Sequence, residues 1–126
     1  MKKELKSLAL VVLMLSAPWT IARADCNRQQ GLQVFQTKCA ICHTVDKKQG
    51  HTFGPNLAGV VGRRVGKAPG YEFSMALGSA DTVWDKKSLD YFLKEPAVAY
   101  PETAMSFSGL PSQEERSAVV CFLGGK

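Results

Sequence analysis

The sequence predicts a small all-α domain in which three main helices, some shorter helices and long loops wrap around a buried non-protein group. Its 126 residues are about the length of one domain. Apolar residues recur at helical spacing in several segments, and the two-residue alternation of half-exposed strands is missing. Residues 44–70 hold eight Gly and Pro, which predicts a long, ordered loop, and because a structureless loop of this length is uncommon we expect something large to lie beneath it.

Residues 1–24 are typical of a signal peptide that directs export. Three lysines lie within the first six residues, an apolar run (LALVVLML) follows, and Ala-Arg-Ala precedes a cut after Ala24. The apolar run is far shorter than the roughly 20 residues that span a bilayer. We predict a cleaved signal over 1–24, one domain over 25–126 and a periplasmic location. The alternatives are an uncleaved anchor helix and a lipoprotein cut before Cys26.

This leader also carries most of the chain's positive charge. The formal charge is +5, and the leader holds four of the 16 Lys and Arg and one of the 11 Asp and Glu. The remaining 12 cations and 10 acids give the mature chain a net charge of about +2. Nucleic-acid binding needs a concentrated basic stripe, and none remains. We expect a monomer with one modest core and without stable membrane insertion once the signal is removed.

The first predicted helix covers residues 25–38. Asp25 or Asn27 can cap it, and its apolar residues, Phe35 among them, point toward one side. Gly31 lies within this helix at a cost in helix propensity. A glycine there indicates close approach by another element.

Three more helices are predicted after the long loop. The first is short and covers 74–78. The next covers 85–94, with Asp85 as its cap and Pro96 ending it. The last covers 112–123, where the sequence Ser-Gln-Glu-Glu predicts a capping box and two glycines stop the helix.

The chemistry-bearing motif is Cys39-Ala40-Ile41-Cys42-His43, the C-x-x-C-H pattern of c-type haem attachment. Two thiols three positions apart can each add across one of two neighbouring vinyl groups of the macrocycle. The adjacent His43 then supplies the proximal imidazole to the iron. We therefore predict one covalently bound haem c.

Three other interpretations of the motif stay open. A thioredoxin-type site requires a preceding strand, which the sequence does not indicate. A zinc site could recruit Cys39, Cys42, His43 and His51, but it would leave the long loops unexplained. A disulfide within C-x-x-C would be strained.

The second axial ligand decides between an electron carrier and an open haem that binds ligands. The mature chain has two methionines. Met75 falls in a helical stretch, where we expect it to fill the core. Met105 lies in a polar, Pro-containing loop between two helices, and we predict it as the iron ligand.

Together these features resemble the short class I cytochromes c of the mitochondrial and bacterial c2 type. The resemblance covers nearly the whole mature chain. It is carried by Gly31 and Phe35, Cys39 to His43, Gly54-Pro55-Asn56-Leu57, Gly62-Arg63, Gly66, Gly70-Tyr71, Trp84, Leu89, Pro96, Pro101, Met105, Phe107 and Arg116 with the final helix.

The resemblance implies roles for five further residues. The Pro55 carbonyl would accept the His43 ring N–H and fix its tautomer. Arg63 and Trp84 would bind a buried haem propionate, and Thr103 would bond near the second one. Phe107 would shield the haem edge. The resemblance also implies that the first and last helices cross at Gly31, with Phe35 and Phe122 packing there.

Cys26 and Cys121 remain after haem attachment. An even pair of cysteines in an exported chain is typical of a disulfide. The resemblance packs the two helices that contain them together, so we predict a Cys26–Cys121 disulfide. The alternative is two free thiols.

The sequence departs from the family at two kinds of position. Phe73, Phe92 and Leu77 stand where relatives often carry Tyr, Tyr and Asn, which predicts a drier haem pocket. The stretches that carry docking lysines in many relatives have Ala97, Val98, Ala104, Pro111 and Ser112 here, and only Lys38 remains clearly in place. We therefore expect electron transfer that depends weakly on salt.

These observations predict a soluble periplasmic one-electron carrier rather than an enzyme. Its iron would cycle between Fe(III) and Fe(II). Its partners would be redox proteins: a membrane cytochrome complex, an oxidase, a reaction centre or a reductase. A peroxidase or gas binder, and a docked subunit of a larger dehydrogenase, are the alternatives.

Overall fold

The computed structural model describes residues 26–125, and their regular structure is helical. Five helices follow in order: α1 (Arg28–Lys38), α2 (Met75–Gly78), α3 (Lys86–Lys94), α4 (Pro96–Ala99) and α5 (Gln113–Leu123). Within the described residues, the backbone of Arg64 pairs with that of Val83 in an isolated antiparallel bridge. The predicted signal peptide lies outside the described residues.

The predicted helix starts are close to the observed ones because local caps set them. Asn27 accepts the Gln30 N–H at 3.0 Å ahead of α1. Asp85 and Ser88 form a reciprocal capping box ahead of α3. Ser112 accepts the Glu115 N–H at 3.3 Å ahead of α5, but among the described contacts no bond returns from the Glu115 side chain. The capping box predicted there is therefore only half formed.

The sequence did not predict α4. Pro96 was expected to end the preceding helix, and α3 does end at Lys94. Pro96 then occupies the first turn of α4, where its missing N–H would have had no helical partner. The same proline therefore separates two helices and opens the second one.

Helices α1 and α5 form the most extensive helix–helix contact. A Cβ built on Gly31 would overlap the Ala118 carbonyl and lie 2.7 Å from the Phe122 Cβ, so only glycine permits this approach. Phe35 and Phe122 pack beside it with ring centroids 5.6 Å apart. The crossing is the one that the resemblance implied.

A disulfide joins Cys26, just ahead of α1, to Cys121 within α5. Their Cα atoms are 5.5 Å apart, at the usual spacing for a disulfide. The bond ties the start of the domain to its last helix across 95 positions of sequence.

The buried Arg116 guanidinium fixes the segment that leads into α5. It donates to the Leu110 and Pro111 carbonyls at 2.7 and 2.8 Å and to Asp90 of α3 at 3.0 Å. These bonds pair a buried charge and satisfy two loop carbonyls. The loop from α4 to α5 is thus attached to both α3 and α5.

The core lies between α1, α3, α5 and the long loop. Leu110, Val65, Val119 and Pro96 are its largest fully buried side chains. Among the residues that the structure describes, no helix is long and apolar enough to cross a membrane.

Candidate cofactor site

The core surrounds a cavity of about 430 Å³. This volume is within the usual range for small-molecule and cofactor sites, roughly 300–1,000 Å³. The walls come from the end of α1, the long loop, α2, α3, α5 and the loop after α4. Eight of the nine residues predicted to hold or contact haem line the cavity: Cys39, Cys42, His43, Pro55, Arg63, Trp84, Met105 and Phe107.

Both motif cysteines reach the cavity because the chain turns tightly after α1. The Cys42 and His43 N–H groups each donate to the Cys39 carbonyl at 3.0 Å. Both thiols are unbonded and partly buried. Burial, with a smaller effect of Cys42, raises the pKa of the Cys39 thiol to about 11. Before any modification, Cys39 is therefore protonated at neutral pH.

His43 is held in one tautomer and one orientation. Its Nδ1 donates to the Pro55 carbonyl at 2.7 Å, so Nε2 of the neutral ring carries no proton. Burial lowers the pKa of His43, and the Pro55 bond opposes that shift more weakly. Gly54 packs against the imidazole so closely that a Cβ there would lie 2.7 Å from Nδ1. The ring is thus preset to offer Nε2 as a metal ligand.

Met105 lines the cavity from the loop between α4 and α5. Its N–H donates to Thr103 Oγ1 at 3.3 Å, and its carbonyl accepts the Phe107 N–H at 2.9 Å. Thr103 is not among the lining residues, so here its hydroxyl orders the methionine backbone. Glu102, which precedes Thr103, has φ +65°. This left-handed backbone conformation costs a non-glycine residue on the order of 1–3 kcal/mol.

Two predicted propionate partners occupy another part of the wall. The Arg63 guanidinium donates to the Asn56 and Ala58 carbonyls at 3.1 and 3.4 Å, and burial lowers its pKa. Trp84 is buried, and its ring packs at 5.1 Å from that of Phe92. Each of the two side chains adds an N–H donor to a wall that is mostly apolar.

Sequence reasoning missed Ser74 as a site residue. Ser74 lines the cavity, and its Oγ is buried with no hydrogen-bond partner among the described residues. It precedes α2 without capping it through its side chain. A buried unpaired hydroxyl is costly and calls for an acceptor. The only sequence signal was its place beside a helix start, which ordinarily indicates a cap.

Met75 was placed wrongly from the sequence. It was expected to fill the core, but its side chain is 88% exposed on α2. Phe73, Leu77 and Phe92 all line the cavity. The three positions that the resemblance marked as departures from the family therefore add apolar residues to the cavity wall.

The alternative interpretations of the motif find no support. Within residues 26–125, no group of three or more His, Cys, Asp or Glu side chains could hold a metal ion. His51 is engaged elsewhere, since Nδ1 accepts the Asn56 N–H and Nε2 donates to the Pro69 carbonyl, both at 2.9 Å. Cys39 and Cys42 are not bonded to each other.

The fold and the site define a small all-α protein of the kind that holds a haem covalently in a core cavity. A model of the family "Cytochrome c" matches residues 29–125. Cytochrome c of Sesamum indicum is 41% identical over 97 residues, covering 77% of this chain and 87% of the relative. Cytochrome c of Kluyveromyces lactis is 36% identical over 97 residues, covering 77% and 88%. The chain belongs to the cytochrome c family.

Family membership identifies the chain as an electron-transfer protein rather than an enzyme, with one covalently attached haem c. The residues present fit that group. Two thiols are placed to form thioethers, and His43 offers a neutral imidazole. The unpaired Ser74 hydroxyl suits a propionate carboxylate, as do the Arg63 and Trp84 N–H donors. The predictions of family, fold class, cofactor and non-enzymatic role are confirmed.

Proposed function

We propose that this chain is a periplasmic one-electron carrier. When bound, the haem supplies a single iron that exchanges one electron. The observation that carries the proposal is the pair of candidate axial ligands, His43 and Met105, which line one cavity with the two motif thiols. An imidazole and a thioether leave no open position for a substrate and favour Fe(II), which suits electron transfer.

The motif cysteines hold the group in place. Cys39 and Cys42 would each hold the haem through a thioether to one vinyl group, with the thiol hydrogen going to the neighbouring vinyl carbon, so that nothing would be released. Because His43 directly follows Cys42 and lines the same cavity, it would be the residue that offers an imidazole to the iron. The Pro55 carbonyl keeps the ring proton on Nδ1.

The remaining site residues bind and shield the group. Arg63 and Trp84 would donate to one propionate, and Ser74, whose hydroxyl has no partner among the described residues, would supply a further donor. The Thr103 hydroxyl would bond near the second propionate, or it orders the loop that carries Met105 by accepting the Met105 N–H. Phe107 covers the exposed edge.

The periplasmic location is supported by the leader, with cleavage after Ala24. The relatives come from plants and yeast, so their names do not supply this location. The Cys26–Cys121 disulfide also suits an oxidising compartment. The electron donors and acceptors are redox proteins, among them a membrane cytochrome complex, an oxidase, a reaction centre or a reductase. The carrier acts as a monomer.

Two measurements on protein from a bacterial host with haem-attachment machinery test this function. Osmotic shock should release the holoprotein. Its intact mass should equal that of a chain that begins at Asp25 plus one haem. A potentiometric titration should be reversible and fit one electron. Retention in the cytoplasm, or a holoprotein that does not cycle reversibly, would contradict the proposal.

A further inference from the structure

Two large apolar side chains are exposed where the haem cavity opens to solvent. Ile41 and Phe53 both line the cavity, yet they are 81% and 86% exposed. Ala104, also exposed, and the half-buried Phe107 line it as well. We call these four residues the apolar rim. Exposed apolar residues grouped around one cavity are typical of an interaction site.

The Ile41 and Phe53 parts of the rim are held together by the backbone. The Gly54 N–H donates to the Cys42 carbonyl at 2.7 Å, and the Thr52 hydroxyl donates to the same carbonyl. The Phe53 carbonyl accepts the Tyr71 hydroxyl at 2.9 Å. A surface ordered in advance loses less conformational entropy on binding.

The charges around the cavity nearly cancel. The Arg64 guanidinium pairs with Asp81, and the Arg63 guanidinium donates to loop carbonyls. Lys38 and Glu72 are the remaining charged lining residues of the described chain, one of each sign.

The other lysines are not placed to change that balance. Lys67 donates to the Gly78 carbonyl at 2.6 Å and does not line the cavity. Lys86, Lys87 and Lys94 belong to α3, and Lys47 and Lys48 to the loop after the motif; none of these five lines it either. The charged residues that line the cavity therefore leave little net charge to favour an acidic partner.

We propose that the apolar rim is the docking surface for a redox protein that presents an apolar, uncharged area around its own cofactor. This inference rests on the proposed function and names the chemistry of the partner. Electrons enter and leave the site where the rim lies. Burial of Ile41 and Phe53 supplies the contact energy, and steering by charge contributes little.

Electron exchange with washed membranes of the cells that make the protein tests the docking surface. The reduced holoprotein is mixed with membranes and oxygen, and the oxidised holoprotein with membranes and a quinol. Phe53→Ser should lower the second-order rate constant about three- to tenfold, because truncating a central apolar contact typically costs that much. Ile41→Ser is a second variant, at the other large exposed residue of the apolar rim. Ile41 lies between the two motif cysteines.

Met75→Ser is the matched control. Met75 is as exposed as Phe53 but does not line the cavity, so its rate should not change. Ferricyanide, a small oxidant that needs no docking, should oxidise all variants at the same rate. Between about 10 and 150 mM salt, the rate with membranes should fall less than about threefold.

The outcomes separate two failures. A Phe53→Ser rate equal to that of the unsubstituted protein, or a steeper fall with salt, would overturn the apolar docking surface; the latter indicates an acidic protein or anionic lipid. If the unsubstituted holoprotein exchanges no electrons with the membranes but cycles reversibly with ferricyanide, the docking proposal fails. If it does not cycle with ferricyanide either, the proposed function fails.

Discussion

The Nδ1 of His43 donates to the carbonyl oxygen of Pro55 at 2.7 Å. This bond fixes the tautomer of the one histidine in the C-x-x-C-H motif. It also links the turn after α1 to the long loop, which supplies much of the cavity wall. The orientation of the imidazole therefore depends on how closely the loop backbone approaches the ring.

Gly54→Ala tests that dependence. The added Cβ would lie 2.7 Å from His43 Nδ1 and 3.0 Å from the Cys42 carbonyl oxygen, so the ring or the loop must move. We expect a stability loss of about 1–3 kcal/mol, as for overpacking elsewhere, and a weakened axial ligand. Denaturant unfolding and the holoprotein spectrum measure both effects.

Gly50→Ala is the control, because a Cβ at that position meets nothing within 4 Å. It should leave stability and spectrum close to those of the unsubstituted protein. Equal behaviour of the two variants would show that Gly54 does not constrain His43.

The Cys26–Cys121 disulfide should leave no free cysteine in the mature holoprotein. Thiol titration of the denatured, unreduced protein should find none, since Cys39 and Cys42 are consumed by haem attachment. Finding two free thiols would contradict the structure.

Cys26→Ser with Cys121→Ser should lower the free energy of unfolding. Loop closure across 95 positions sets a ceiling of about 4–5 kcal/mol. The measured loss should be smaller, because the covalent haem already restricts the unfolded chain. A double variant as stable as the parent would rule out a stabilising role for the bond.

Asp85 caps α3, and its effect should depend on pH. Its carboxylate accepts the Ser88 N–H at 2.7 Å, and the bonds with Ser88 hold the pKa of Asp85 below its usual range. A lowered folded-state pKa gives stabilisation that is complete above about pH 4 and is lost as pH falls through the folded value. Asp85→Ala should lower the thermal midpoint by a few degrees at neutral pH.

Asp85→Asn separates the charge from the cap, because asparagine caps helices about as well. The stability difference between the parent and this variant should be largest near neutral pH and should shrink in acid. A difference that grows as pH falls would have the wrong sign for a lowered pKa. Thermal melts of both proteins between about pH 2 and pH 7 measure how this difference changes with pH.

The parts of the fold that depend on local sequence were predictable. Asn27, Asp85 and Ser112 cap helices through bonds to residues three positions on, so the helix starts could be placed from sequence. The spacing of Cys39, Cys42 and His43 is likewise local. The family resemblance then supplied the α1–α5 crossing, which no local pattern contains.

Other features depend on contacts that sequence patterns do not encode. Helix α2 has four residues, too few for a period that would show Met75 pointing outward. The Pro96 that ends one helix also begins another, and sequence alone favoured only the first role. The unpaired Ser74 hydroxyl becomes visible only when the cavity around it is known.

The axial methionine is tested most directly by the absorption spectrum of the oxidised holoprotein, recorded beside Met105→Ala and Met75→Ala. The parent and Met75→Ala should both show a sulfur-to-iron charge-transfer band near the red end of the spectrum, since Met75 lies exposed outside the cavity. Met105→Ala should lose that band, become high-spin and have a substantially lower midpoint potential, because the thioether favours Fe(II). A low-spin Met105→Ala spectrum with the band intact would show that Met105 is not the ligand.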